Sequence, residues 1–220
     1  MANYNQGILG AFSGKLGNVI GTFWKGKSIM RIVPANVANP NTPAQQAMRA
    51  RFTLLVQFLS TNAKFFKIGF SAMSAKITEL NAAFRANYEA GVTGLYPSLK
   101  IDAKNLVTSK GDLASLNGFA AASTVPNTIE LTWNDNSGDQ GASNTDKINV
   151  AVFDEATGES VTILQAADRL TESYTFNLPA AWSGKSVSVY AYMTSESILF
   201  GFNKTSHVSN SVKVNGITVA

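Results

Sequence analysis

Hydrophobic positions along this chain change period twice, and the changes divide it into three regions. Apolar and β-branched residues first come in two short runs, Val19–Trp24 and residues 28–33. They flank Lys25-Gly26-Lys27, which predicts a β-hairpin. Its apolar character on both faces calls for burial, or for an edge that another chain covers. From Ala44 the spacing becomes helical. Ala44, Met48, Phe52, Leu55 and Leu59 form one stripe, widened by Leu54, Val56 and Phe58. This helix is expected to end near residues 60–62. Phe65, Phe66, Ile68 and Phe70 make an aromatic knot, read as a short helical or irregular connector packed inward. A second helix is predicted over residues 71–88, with Met73, Ile77, Leu80, Phe84 and Tyr88 on its stripe and Gly91 and Gly94 ending it.

From about Leu106 the period falls to two. Ile129, Leu131 and Trp133 alternate with Glu130 and Thr132. The same alternation returns at Ile148, Val150 and Val152, at Tyr174, Phe176 and Leu178, and at Val187, Val189, Ala191 and Met193, and closes with Val212 and Val214. Around seven short strands separated by Asn, Asp, Gly, Ser and Pro predict an antiparallel β-sandwich of the immunoglobulin or fibronectin type III kind. With no cysteine to brace Trp133, the fibronectin-like variant is preferred. The expected fold class is α+β. Residues 1–42 form an extended arm and hairpin, 43–100 a helical segment, and 101–220 the sandwich.

The junction between hairpin and helix carries the most specific local code. Pro40 and Pro43 hold Asn39 and Thr42 in extended backbone, because a proline ring clashes with a helical residue before it. Thr42 fits an N-cap, Pro43 the first helical position and Gln45 the third, the arrangement of a capping box worth about 1 kcal/mol. Arg49 and Arg51 flank the stripe, either as rim charges pairing with neighbours or as contacts to a partner or nucleic acid. The first twenty residues, with Gly7, Gly10, Gly14 and Gly17, read as an arm lacking a core of its own. Its apolar residues Ile8, Leu9, Phe12 and Leu16 are candidate contacts to other subunits, together with Trp24, Arg31, Asn39, Arg49 and Arg51.

Charge adds a polarity that the pattern does not show. Residues 1–100 carry 11 Lys and Arg against 2 acidic residues, and residues 101–220 carry 7 against 12. The net +4 thus divides into +9 and −5. Such asymmetry suits head-to-tail contact between copies or a basic half facing nucleic acid, although composition drift would also produce it. No apolar run approaches the roughly 20 residues of a membrane span. No basic, secretory-type leader is expected either.

Taken together, Trp24-Lys25-Gly26, Arg31 and Asn39-Pro40-x-Thr42-Pro43-x-Gln45-x-x-x-Arg49-x-Arg51-Phe52 resemble a family of proteins from Bacteroidetes bacteria and their phages with no assigned activity. The second half resembles it through Ile129-x-Leu131-x-Trp133-x-Asp135, Asp146-Lys147, Leu178-Pro179, Trp182-x-Gly184 and Ser209-x-Ser211-Val212. Similar arms occur in phage structural proteins, where extended segments knit neighbouring subunits together. The resemblance implies a non-enzymatic, often phage-linked protein.

Candidate chemistry is sparse. His207 is the single histidine, with no acidic neighbour in sequence and no cysteine to share a metal. No Gly-x-Ser-x-Gly elbow or phosphate-cradling Gly-rich loop appears. The loop from Asp135 to Asp146 is rich in oxygens that could hold calcium or simply make turns. Trp182 with Tyr190 or Tyr192 could stack a sugar or pack inside the sandwich. The expectation is therefore a structural protein of a large assembly, a phage virion, made in the host cytoplasm without a cofactor, metal or small-molecule substrate. The alternatives are a glycan- or protein-binding module using the sandwich, and nucleic-acid contact by the basic half.

Overall fold

The computed structural model describes residues 2–3, 12–36, 40–73, 77–139, 141–195 and 207–220 of the 220-residue chain. The predicted partner contacts Ile8, Leu9 and Asn39 lie outside these described residues. The fold is α+β, and the chain divides into two compact units, Met1–Thr42 and Pro43–Ala220.

The first unit is an antiparallel sheet of four strands in the order β1-β4-β3-β2: β1 Ala2–Asn3, β2 Gly14–Leu16, β3 Val19–Trp24 and β4 Lys27–Ile32. The expected hairpin is β3–β4. Its two turn residues, Lys25 (φ 48°) and Gly26 (φ 78°), both take positive φ, as a type I′ turn requires to match strand twist. The glycine-rich stretch before it adds β2, which folds back so that Leu16 pairs with Val19.

The second unit begins with α1, Pro43–Thr61, which starts at the predicted proline. The aromatic knot is a helix, α2 (Ala63–Gly69), with Phe65, Phe66 and Phe70 buried. The predicted helix over 71–88 is shorter than expected. Ser71–Met73 is a 3-10 turn, and α3 runs only Glu79–Asn87, its first turn capped by the Thr78 hydroxyl accepting from the Asn81 N–H at 3.4 Å. The physical reason is local. An N-cap residue needs extended backbone, and Thr78 (ψ 152°) supplies it between Ile77 and Leu80 of the apolar stripe.

Next comes a small hairpin, β5 Val92–Thr93 with β6 Lys100–Ile101. Seven sandwich strands then follow: β7 Asn117–Ala122, β8 Thr128–Asn134, β9 Lys147–Asp154, β10 Ser160–Ile163, β11 Ser173–Asn177, β12 Ser186–Thr194 and β13 Val212–Thr218. They form a three-stranded sheet, β11-β8-β7, and a four-stranded sheet, β10-β9-β12-β13. Three against four, all antiparallel, is the fibronectin-like sandwich expected from the period-two runs. Ile129, Leu131 and Trp133 face Val150, Val152, Val187, Val189 and Met193 across its core.

The helices do not stand apart from the sandwich. A second core joins Leu55, Phe58, Leu59, Phe65, Phe66 and Phe70 to the outer side of β9 and β12, at Ala151, Phe153, Tyr190 and Tyr192. Those two strands are therefore buried on both faces. Residues 43–220 are three layers, helices on sheet on sheet.

Candidate functional site

Residues opposite one another in adjacent strands share a face, so register sorts the N-terminal sheet into two surfaces. Leu16 is opposite Val19, and Val19 is opposite Ile32. With Gly21–Met30 and Phe23–Ser28, these pairs define one face, which carries no charged side chain. Phe12 belongs to it as well. A Cβ at Gly21 would lie 2.3 Å from the Phe12 carbonyl oxygen and 2.8 Å from its ring, so only glycine lets the arm cross there. Around that crossing Val19 and Met30 are half-buried, but three apolar residues stay uncovered: Leu16 is 59% exposed, Phe23 70% and Ile32 77%.

The opposite face has Lys15 opposite Ile20, Ile20 opposite Arg31, Thr22 opposite Ile29, and Trp24 opposite Lys27. Lys25 joins it, its Nζ 4.7 Å from the centroid of the Trp24 ring. Trp24 is 60% exposed. A shallow cleft on this sheet is lined by Thr22, Phe23, Trp24, Ile29 and Arg31.

Within the second unit, α1 covers only half of its predicted stripe. Leu55 and Leu59 are buried, whereas Met48 and Phe52 are 62% and 53% exposed. The Phe52 ring still meets Phe84 at 4.9 Å. Arg49 is exposed on the same helix. Arg51, a candidate partner contact, is turned inward. Its Nε donates to the Tyr88 carbonyl (3.0 Å), and its Nη2 donates to those of Glu89 (2.7 Å) and Val92 (3.1 Å), with the guanidinium 5.4 Å from the Tyr88 ring. Those carbonyls lie at and beyond the C-terminal end of α3, where a cation is favoured.

The sugar-stacking platform is corrected by burial. Trp182, Tyr190 and Tyr192 are at most 5% exposed. Trp182 sits between the two sheets, while the tyrosines lie on the other side of β12 under the helices. Tyr190 donates to the Ala103 carbonyl (2.9 Å) and accepts from the Leu106 N–H (3.1 Å); Tyr192 donates to the Phe65 carbonyl (2.7 Å). Burial pushes both phenols above their ordinary pKa.

The Asp135 to Asp146 loop uses its oxygens on the chain itself. Asp135 accepts from the Ser137 N–H and hydroxyl. Asp146 and Asn136 turn inward onto Arg169, a fully buried arginine. Arg169 also donates to the Ala114 carbonyl (3.0 Å), and its own carbonyl accepts from the Trp133 indole (2.8 Å). Among the described residues no three His, Asp or Glu side chains cluster as a metal site. His207 is exposed. The arginine centre was not anticipated from sequence, where Asp146 read as part of a calcium-holding or turn-making loop.

A second polar centre lies where β9 ends. Asp154 is 1% exposed on its side chain and accepts from Lys185 (2.9 Å), the Ala156 N–H (2.9 Å) and the Thr157 hydroxyl (2.7 Å). Burial alone would raise its pKa. The Lys185 ammonium and the two further donors overcome that and bring it down to about 2.

No described helix is long and apolar enough to cross a membrane. The model of a family of unknown function, DUF6266, matches residues 11–214. No curated protein matches the chain. Among solved structures, the solution structure of the fn3 domain of the human collagen alpha-1(XX) chain is 16% identical. It covers 51% of this chain and 90% of its own, with a TM-score of 0.33.

Proposed function

This chain belongs to the DUF6266 family, whose function is unknown, and we propose that it is a non-enzymatic structural component of a large assembly, a phage virion, in which the N-terminal sheet joins neighbouring subunits. The observation that carries this reading is the uncharged face of that sheet. A single sheet needs a second layer over its apolar side. Among the described residues Phe12 covers part of that side at Gly21, and Leu16, Phe23 and Ile32 remain mostly exposed. Other copies, or other structural proteins of the particle, provide the missing layer. A contact of this kind should bury more than about 1,000 Å².

The virion is inferred from the resemblance of the Asn39 to Phe52 segment to the subunit-knitting arms of phage structural proteins. On this reading the protein is made in the host cytoplasm and incorporated into particles. The polar centres at Arg169 and Asp154 support a structural role, because their donors and acceptors are spent on one another and on backbone groups.

Sedimentation velocity of the full chain tests the assembly step. Self-association that Phe23→Lys and Ile32→Lys abolish, with unchanged circular dichroism, is expected. A wild-type chain that stays monomeric at high concentration, with residues 12–36 resistant to protease, would overturn it. Mass spectrometry of purified particles tests the location: peptides from this chain are expected among the virion proteins.

A further inference from the structure

The other face of the same sheet has a chemistry of its own. Residues 12–36 contain four charged side chains, Lys15, Lys25, Lys27 and Arg31, and all four are cations. The register puts Lys15, Lys27 and Arg31 on one surface, and the Lys25–Trp24 contact puts Lys25 there too. This segregation is complete, since the opposite surface has no charge at all. Randomly scattered surface lysines would fall on both sides of a period-two strand.

We propose that this basic face binds single-stranded nucleic acid, with the four cations on phosphates and Trp24 as a stacking platform for a base. Three features favour that ligand over other anions. No acidic residue occurs before Glu79, so nothing within the unit neutralises the field. The cations bracket an apolar floor of Ile20, Ile29 and the exposed Trp24, the combination that suits a phosphate backbone with unstacked bases. The patch also has the right scale. Lys15 and Arg31 lie two strand spacings apart, about 10 Å, and Arg31 and Lys27 four residues apart along β4, about 14 Å. That area accommodates a short stretch of strand rather than a small anion. The proposal is independent of self-association: a monomeric chain could bind by the same face.

The test is titration of the full chain with an unstructured oligothymidylate, read by oligonucleotide anisotropy and by tryptophan emission. Trp133 and Trp182 are 3% and 5% exposed, so quenching on stacking reports Trp24. Binding is expected to weaken with salt at a log–log slope of about −3, four contacts at roughly −0.7 each. Lys27→Glu with Arg31→Glu should lower affinity roughly tenfold or more and flatten the slope. Trp24→Phe should abolish the quenching while leaving most of the salt dependence. Lys64→Glu with Lys67→Glu, on α2, should change nothing. Absence of binding at low salt, equal loss from the α2 pair, or binding without quenching would each overturn the proposal.

Discussion

The guanidinium of Arg169 lies 3.2 Å from the carboxylate of Asp146, and the two side chains are 0% and 1% exposed. A buried pair of this kind is held by its full set of partners, and removing one leaves an unpaired charge out of water. Asp146→Ala should therefore cost on the order of 3–5 kcal/mol in urea unfolding. Replacing both residues with apolar ones of similar size should cost much less. If the single variant is as stable as wild type, Arg169 reaches water by a route the packing does not show.

Tyr192 makes a different kind of link, from the sandwich to α2 through the Phe65 carbonyl. Tyr192→Phe keeps the ring packing and removes the donor. A loss of about 1 kcal/mol is expected, from one buried hydrogen bond removed while the Phe65 carbonyl keeps its place in the α2 helix. Equilibrium unfolding checks it.

Asp154 gives the stability a defined acid limit. Its folded pKa, about 2, lies below the ordinary carboxylate value of 3.8. The carboxylate's contribution is therefore fully present above about pH 4, declines as pH falls through that range, and is gone below about 2. Its size is roughly 2 kcal/mol. Asp154→Asn should remove this step from a plot of unfolding free energy against pH and leave a lower, flatter curve.

Gly21 tests whether the arm truly lies on the sheet. A methyl group there would collide with the Phe12 backbone oxygen at 2.3 Å. Gly21→Ala should detach the residues around Phe12 without unfolding Pro43–Ala220. Faster proteolytic cleavage near Phe12, with an unchanged main thermal transition, is the expected result.

The sequence made the layers legible and left their coverage obscure. Period two located all the core-facing positions of β8, β9 and β12, because alternation reports a strand with one buried face. It did not disclose that β9 and β12 have a second buried face, although Ala151, Phe153, Tyr190 and Tyr192 already stood at the alternate positions. Such near-continuous apolar runs are the available signal. On α1 the error was opposite. The stripe from Ala44 to Leu59 is continuous, yet Met48 and Phe52 are exposed, because periodicity records a face and not what lies against it. The two-sided chemistry of the N-terminal sheet needed cross-strand register, and residue order does not supply it. Buried Arg169 was equally hidden, since its partners come from loops 23 to 55 residues away.

Double coverage of β9 and β12 sets a rule for handling this molecule. A fibronectin-type cassette is ordinarily cut out and moved between proteins at will. Here, trimming the chain to residues 101–220 would strip the rings of Phe153, Tyr190 and Tyr192 of their roof and present them to solvent as a sticky slab. Expression boundaries should be drawn ahead of Pro43, with the helices inherited as an inseparable part of the cassette.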